Sequence, residues 1–464
     1  LKKTKIKTVF YAAAFCLLPP LGALLGQQAT GRAFSLKDCI NYAKENNSDI
    51  KTAKIDEEIA REKVNETLGR GLPQLSLSGN LVDNLELPTQ LIPGEFAGGA
   101  PGSYLPLKFG TKYNLSLTGQ FSQLLFDGSF FIGVQAANES RNYYNQATEN
   151  TRQAAFYNIA ASFYQTLITE RKIDLLMYND SSLKKTLSES ELLYNNGKLK
   201  EIELDKIRVN YNNLQYSIRN AKEGLKQAYN ALKYSMGMPV SEKLALSKSA
   251  SVFDSAKAQN DRIVPEEAAI ESYDERADYR LLKTSFRLLE LDKKNQISKY
   301  FPVLSAYGNY TYQAQRKEFD MFTKNADWFK SYSIGLKVDI PLFTGGQTYA
   351  RIQQADLKLA QMEEELKNAE SGIELQVSNA IISYQSAWNN VENESRNVKL
   401  AQKVYNVSQV EYKEGKSTAA NLVDAEMKYR EAQTNYINSL LSAYIARLDI
   451  EKAKGTLAKY LYDE

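Results

Sequence analysis

Histidine is missing from all 464 residues. That removes the usual acid–base side chain near neutral pH, the Ser-His-Asp and Cys-His nucleophile systems, and the commonest zinc sites. Cysteine is nearly missing too, with Cys16 and Cys39 alone, so no disulfide framework holds the fold. Cys16 follows Phe15, where a lipid-acceptor cysteine would want a small residue. Cys39 reads as a small buried apolar side chain. Glycine (24) and proline (11) are few and clustered, and Ala, Leu, Glu, Lys, Gln and Asn fill the stretches between them, as in extended helices. No sign of charge dominates. With 58 basic and 55 acidic residues, setting aside the four lysines of the first seven residues leaves about −1, which offers no basic face to nucleic acid. Long apolar runs are absent except at residues 9–25, which follow Lys2, Lys3, Lys5 and Lys7 and are broken by Pro19-Pro20. Residues 1–30 therefore read as a signal peptide cleaved somewhere in 26–33, since a spanning helix needs about 20 unbroken apolar residues. The expectation is an exported chain whose mature part has no transmembrane helix.

What is present is present twice. "LPQLSLSGN" (72–80) is echoed by "FPVLSAYGN" (301–309), "LLFDG" (124–128) by "PLFTG" (341–345), and "LLYNNGK" (192–198) by "VEYKEGK" (410–416). The spacings are about 229, 217 and 218 residues, and three landmarks in one order indicate a duplicated unit. The units expected are 35–236 and 263–460, joined by a linker at 237–262 rich in Ser, Lys and Asp. Each reads as helix, strand, surface loop, strand, very long helix, sharp turn, shorter helix. The helices are expected at 36–70, 129–195, 198–236, 263–299, 346–413 and 417–460. The strands are expected at 74–83, 113–126, 303–313 and 332–343.

The strands alternate apolar and polar with period two. Leu75 and Leu77 oppose Ser76 and Ser78; Leu115, Leu117 and Phe121 oppose Ser116, Thr118 and Ser122; Ile334, Leu336 and Val338 oppose Ser333, Gly335 and Lys337. One explanation is a face on a soluble core and a face in water. The other is lipid outside and water inside, as in an outer-membrane strand of about 10 residues. Four strands cannot close a barrel, so the second explanation requires several chains. Tyr113, Phe126, Tyr310, Tyr312, Tyr332 and Phe343 suit an interfacial girdle. The helices carry seams at steps of three and four: Leu204, Ile207, Tyr211, Leu214 and Ile218 in one unit, Leu422, Ala425, Tyr429, Ala432 and Tyr436 in the other. At 1.5 Å per residue the longest helices reach roughly 100 Å. A periplasmic coiled-coil scaffold without a pore stays open as an alternative. No pocket motif points to an enzyme, a cofactor or a metal.

With strand-F-x-G-helix and Y-x-x-G-K each occurring twice, the chain resembles the TolC-like outer-membrane efflux family over essentially all of 35–460. The resemblance implies a mostly α fold with a membrane β-barrel portion. Three chains would pool a duplicated helix-strand-strand-helix-helix unit into a twelve-stranded barrel and a long α-helical coiled-coil barrel. It implies residence in the bacterial outer membrane, with the tube extending into the periplasm. It also implies the role of exit duct in a tripartite efflux or type I secretion system. The partners it implies are a homotrimer, outer-membrane lipid, a periplasmic adaptor, and an inner-membrane pump of the RND or ABC type. The strand-to-helix junctions would be Phe126 with Gly128 and Phe343 with Gly345, where glycine permits unusual backbone geometry. The turn tips would be Gly197-Lys198 and Gly415-Lys416. By resemblance Tyr194, Tyr412, Glu203 and Asp424 would close the periplasmic end. Ser417 stands where relatives often have an arginine, with Lys413 and Lys416 close by.

Overall fold

The computed structural model describes residues 33–247, 272–323 and 327–463. The expected signal segment and most of the expected linker lie outside them. In chain order the elements are α1 (Leu36–Asn46), α2 (Ser48–Gly69), β1 (Gln74–Asp83), β2 (Thr89–Pro93), β3 (Tyr104–Lys108), β4 (Tyr113–Phe126), α3 (Gly128–Asn195) and α4 (Glu201–Met236). There follow α5 (Ala277–Ser298), β5 (Val303–Arg316), β6 (Phe329–Asp339), α6 (Gln347–Lys413), α7 (Ala419–Lys454) and α8 (Leu457–Asp463). Among the described residues no helix is long and apolar enough to cross a membrane.

Local chemistry accounts for the boundaries that differ from expectation. The helix expected over 36–70 breaks at Asn47, whose side chain accepts from the Ile50 amide at 3.0 Å and donates to the Ser235 carbonyl at 2.8 Å. An asparagine that satisfies the next helix's free amide is an N-cap, and a cap starts a new helix. The second unit's last helix ends at Gly455 (φ 82°) and restarts at Leu457. The last strand ends at Asp339, not 343, just before Pro341, which has no N–H to lend a ladder. Phe343 is therefore off the sheet and 90% exposed. The loop 84–112 is not structureless: β2 and β3 pair antiparallel across it, Thr89 opposite Lys108.

The helices stack as two short rods beside each long one. α2 and α4 both lie along α3, and α5 and α7 both lie along α6. Where α4 ends, Gly237 (φ 74°) comes so near the α1–α2 junction that a Cβ would sit 2.2 Å from the Asn46 carbonyl oxygen. Gly455 repeats the arrangement one unit on, with 2.8 Å to the Glu275 carbonyl. Here glycine answers both a left-handed φ and a close backbone approach. A mid-molecule core gathers around these ends: Cys39, Ile40, Ile50, Phe156, Ile159, Leu232 and Met236 pack with Leu448, Leu457 and Leu461. Toward the turns, Leu176, Leu183, Ile207, Leu214 and Ile218 pack against Tyr405, Tyr412, Leu422 and Tyr429, so the two units share one seam.

Replacing Gly237 by alanine adds a left-handed penalty and a backbone collision. Gly237→Ala is expected to cost about 1–3 kcal/mol, read as a lowered midpoint in thermal unfolding followed by circular dichroism. Gly372→Ala, at an open helical position, should leave the midpoint level or raise it.

Candidate functional site: the bare sheet face and the helical turns

The four long strands form one antiparallel sheet in the order β1-β4-β5-β6. Its register sorts the side chains onto two unlike faces. Leu75 opposite Phe121, Leu81 opposite Leu115, Gly79 opposite Leu117, and Gly308 opposite Ile334 put the apolar positions of all four strands on one side. Leu304, Tyr310, Tyr312, Tyr332, Leu336 and Val338 join them. The other side carries Ser76, Ser78, Asn80, Ser116, Thr118, Gln120, Asn309, Thr311 and Ser333, with Thr118 and Thr311 hydroxyls 3.1 Å apart.

The apolar side is bare. Leu75 is 82% and Ile334 93% exposed, and Leu77, Leu117, Phe121, Leu336 and Val338 are exposed as well; Leu115 is half-buried. A sheet folded on a dry core would cover these residues, and none of the described residues does so. The outer edges of β1 and β6 also have no strand partner among the described residues. Aromatic pairs gather at the loop end: Tyr113 with Phe319 edge-on at 5.4 Å, and Tyr312 stacked on Trp328 at 4.7 Å.

The strands pass to helix by two different devices. At the first junction Asp127 caps α3 by accepting from the Ser129 amide at 2.8 Å, and Gly128 sits in close contact, since a Cβ there would lie 3.1 Å from the Ser298 Cβ. At the second, Gly345 and Gly346 carry φ of 59° and 80° with open space around them. The expectation of unusual backbone geometry thus holds at Gly345 but not at Gly128. Phe126 packs near Phe131, at 6.1 Å between ring centres.

At the opposite end of the long helices the two Y-x-x-G-K segments fold alike. Gly197 (φ 68°) donates to the Tyr194 carbonyl at 2.8 Å while Lys198 donates to that of Leu193 at 2.8 Å. Gly415 (φ 71°) donates to Tyr412 at 3.0 Å and Lys416 to Glu411 at 2.8 Å. Both are Schellman turns, which explains the spacing of tyrosine and glycine by backbone bonding. The side chains then diverge. Tyr412 is buried, its hydroxyl 3.0 Å from that of Ser190, and burial pushes the phenol above its ordinary range. Tyr194 is exposed and touches no such partner.

Glu203 bridges the two turns: it takes an ion pair from Lys206 at 2.9 Å and accepts from the Ala419 amide, at the start of α7, at 2.9 Å. The ammonium of Lys206, with the amides of Ala419 and Ala420, holds its carboxyl below the ordinary value of 4.5, against a smaller opposing effect of burial. Tyr412 and Glu203 are thus brought to one region. Asp424 is not part of that contact: it pairs with Lys428 at 2.9 Å, both side chains in water. Lys413 reaches Glu189 at 3.2 Å, tying α6 to α3, and Lys416 pairs with Glu414 at 2.6 Å.

Sequence reading missed a polar network between the units. Asn210 (2% exposed) donates to Glu426 (4% exposed) at 2.9 Å and accepts from Arg430 at 3.1 Å, while Arg430 and Glu426 pair at 3.3 Å. One step away the Asn179 amide donates to Gln433 at 2.7 Å, both buried. The signal existed in the spacing: Asn210 lies three residues beyond Ile207 and four before Leu214, on the seam itself. Among the described residues no group of three or more potential metal ligands occurs.

A sheet with one bare apolar face flows here into helices of 68 and 67 residues, a surface suited to lipid joined to one suited to water. The sequence pattern of the outer membrane efflux protein family matches residues 39–238 and 294–456. The chain belongs to that family, and its place is the outer membrane. The outer membrane protein TolC of Salmonella enteritidis is 21% identical over 453 residues, covering 94% of this chain and 84% of that one. Among solved structures, the CmeC outer membrane channel of Campylobacter jejuni superposes with a TM-score of 0.69 at 16% identity, over 98% of this chain and 94% of the other. CusC superposes with 0.70 at 16%, over 90% and 91%.

Because the Glu203 carboxyl is held below its ordinary value, its anchoring of α7 is complete above about pH 5 and is lost as pH falls through the lowered value. In hydrogen exchange at pH 7, Glu203→Gln should lower protection of the Ala419 and Ala420 amides relative to the unsubstituted chain. Acidifying the unsubstituted chain to well below 4.5 should remove that difference.

Proposed function

We propose that three copies of this chain pool their sheets into a closed twelve-stranded barrel in the outer membrane. Their helices continue it as a water-filled tube into the periplasm, giving a passive exit duct. The bare apolar face on a four-stranded sheet with two open edges carries this reading. In hydrocarbon every backbone N–H and C=O needs a partner, and only closure by further copies supplies one at β1 and β6. The alternating polar face then lines the lumen, and Leu75, Leu77, Leu115, Leu117, Phe121, Ile334, Leu336 and Val338 meet lipid.

Transport through the duct is driven by an inner-membrane pump reached through a periplasmic adaptor. The membership in an efflux family and the tube-length helices support this. The pump, of RND or ABC type, supplies the substrate choice. The helical turns make the periplasmic gate, with Tyr412 and Glu203 as its fastening and Asp424 offering three carboxylates near the axis in the trimer.

In planar bilayers the purified chain is expected to give discrete conductance steps. A chain that stays monomeric and water-soluble without detergent would overturn the reading in favour of a periplasmic scaffold. Within the same assay, Tyr412→Phe combined with Glu203→Gln should raise the resting conductance several-fold. The pair loses one hydroxyl contact worth about 0.5–1.5 kcal/mol and a charge-assisted one worth about 1.5–3. Unchanged conductance in the double variant would place closure at other residues.

A further inference from the structure

The duplication lets contacts inside one chain be carried to the seam between chains. Near the turns the two units correspond by a shift of 218 residues, which takes Tyr194 to Tyr412, Gly197 to Gly415 and Leu204 to Leu422. In the chain, α6 and α7 of the second unit lie against α3 and α4 of the first. If one rotation relates successive units around a ring, the same rotation sets α3 and α4 of the next copy against α6 and α7 of this one. Every contact across the internal seam therefore has a counterpart across the external one, and the residue types at the counterparts test the idea.

Tyr412 bonds Ser190; the shift exchanges these for Tyr194 and Ser408. Gln433 bonds Asn179; the shift exchanges these for Gln215 and Asn397. Both pairs return with identical chemistry, tyrosine with serine and glutamine with asparagine. The originals are all buried, whereas Tyr194 and Asn397 are exposed and Ser408 and Gln215 half-buried in the single chain. Leu400 and Val404, large apolar residues left in water on the same helix, lie along that seam. The buried triad does not return. Asn210, Glu426 and Arg430 become Lys428, Arg208 and Asn212, all exposed, and the two cations already hold Asp424 and Asp205 on their own helices.

We propose that this surface takes a second copy of the chain with Tyr194 of one copy bonded to Ser408 of the next, and Gln215 of one bonded to Asn397 of the next. The seam between copies keeps these two pairs of the internal seam, replaces the Ser182–Tyr405 hydroxyl pair by Leu400 and Leu187, and lacks the ionic triad. This pairing rests on the assembly proposed above.

The test places p-benzoylphenylalanine at Tyr194 in the full chain, in detergent, and irradiates it. Bands of two and three chains are expected, with the cross-link mapping to the α6 peptide that holds Ser408. The same probe at Gln215 should map to the peptide holding Asn397, and at Tyr412 to Ser190 of its own chain. A trimer by light scattering whose links from 194 and 215 fall within one chain, or away from those peptides, overturns the pairing and leaves the assembly standing. A chain monomeric by light scattering and without inter-chain links overturns both.

Discussion

A strand in hydrocarbon cannot leave its N–H and C=O groups unpaired, because lipid offers no water to take their place and each orphan costs several kcal/mol. The architecture of this chain is organised around that demand. Ten to fourteen residues per strand suffice to cross a bilayer at a tilt. Four such strands make a ribbon with an apolar side and two open edges, which is stable in neither water nor lipid by itself. A soluble protein would fold a helix over the apolar side. Here no described helix covers that side, and the proposed assembly answers the demand by adding copies until the edges meet.

The second consequence follows from duplication. Each long helix is matched by two short ones laid along it, which keeps the wall of the proposed tube at constant height. That requires two chain ends to abut in a crowded middle. Gly237 and Gly455 occur at the two equivalent places, each against a backbone carbonyl less than 3 Å from where a side chain would begin. The junctions between strand and helix are less alike. The first uses an aspartate cap and a contact glycine, the second a pair of left-handed glycines. Duplicated units keep the geometry and let the local means diverge.

Much of this was legible in the sequence, and what was not has physical reasons. Period-two alternation gave β1 and β4 to the residue, since a one-residue slip would have reversed every side chain. The ends of β6 and the break at Asn47 were misjudged. One turns on a proline's missing donor two residues past the strand, the other on a side chain reaching a carbonyl 188 residues away. The short hairpin β2–β3 sits in a stretch whose Pro and Gly hide its pairing. At the turns, the Y-x-x-G-K spacing announced a helix terminus, yet nothing local says that Tyr412 is buried and Tyr194 exposed. In the proposed assembly that asymmetry follows, because only one of its two seams forms inside a single chain. Asp424 is grouped with the gate through resemblance alone; within the single chain it makes an exposed i, i+4 ion pair with Lys428.

The buried polar ladder at the turn end raises the question of why a coiled coil should carry a carboxylate and a guanidinium where apolar side chains would pack at less cost. Desolvating Glu426 and Arg430 is unfavourable by several kcal/mol before their attraction and the Asn210 amide offset it, so net stability is a poor reason for the triad. Register is a better one. An apolar seam of Leu, Ile and Ala presents much the same surface after a slip of one heptad, and helices this long have many heptads to slip by. Asn210 can meet Glu426 and Arg430 in one alignment only; any other leaves a charge buried without a partner. In the proposed tube the closed end depends on two helical turns standing level, with Glu203 of one holding the first amides of the next, and a single permitted alignment would set them at the same height.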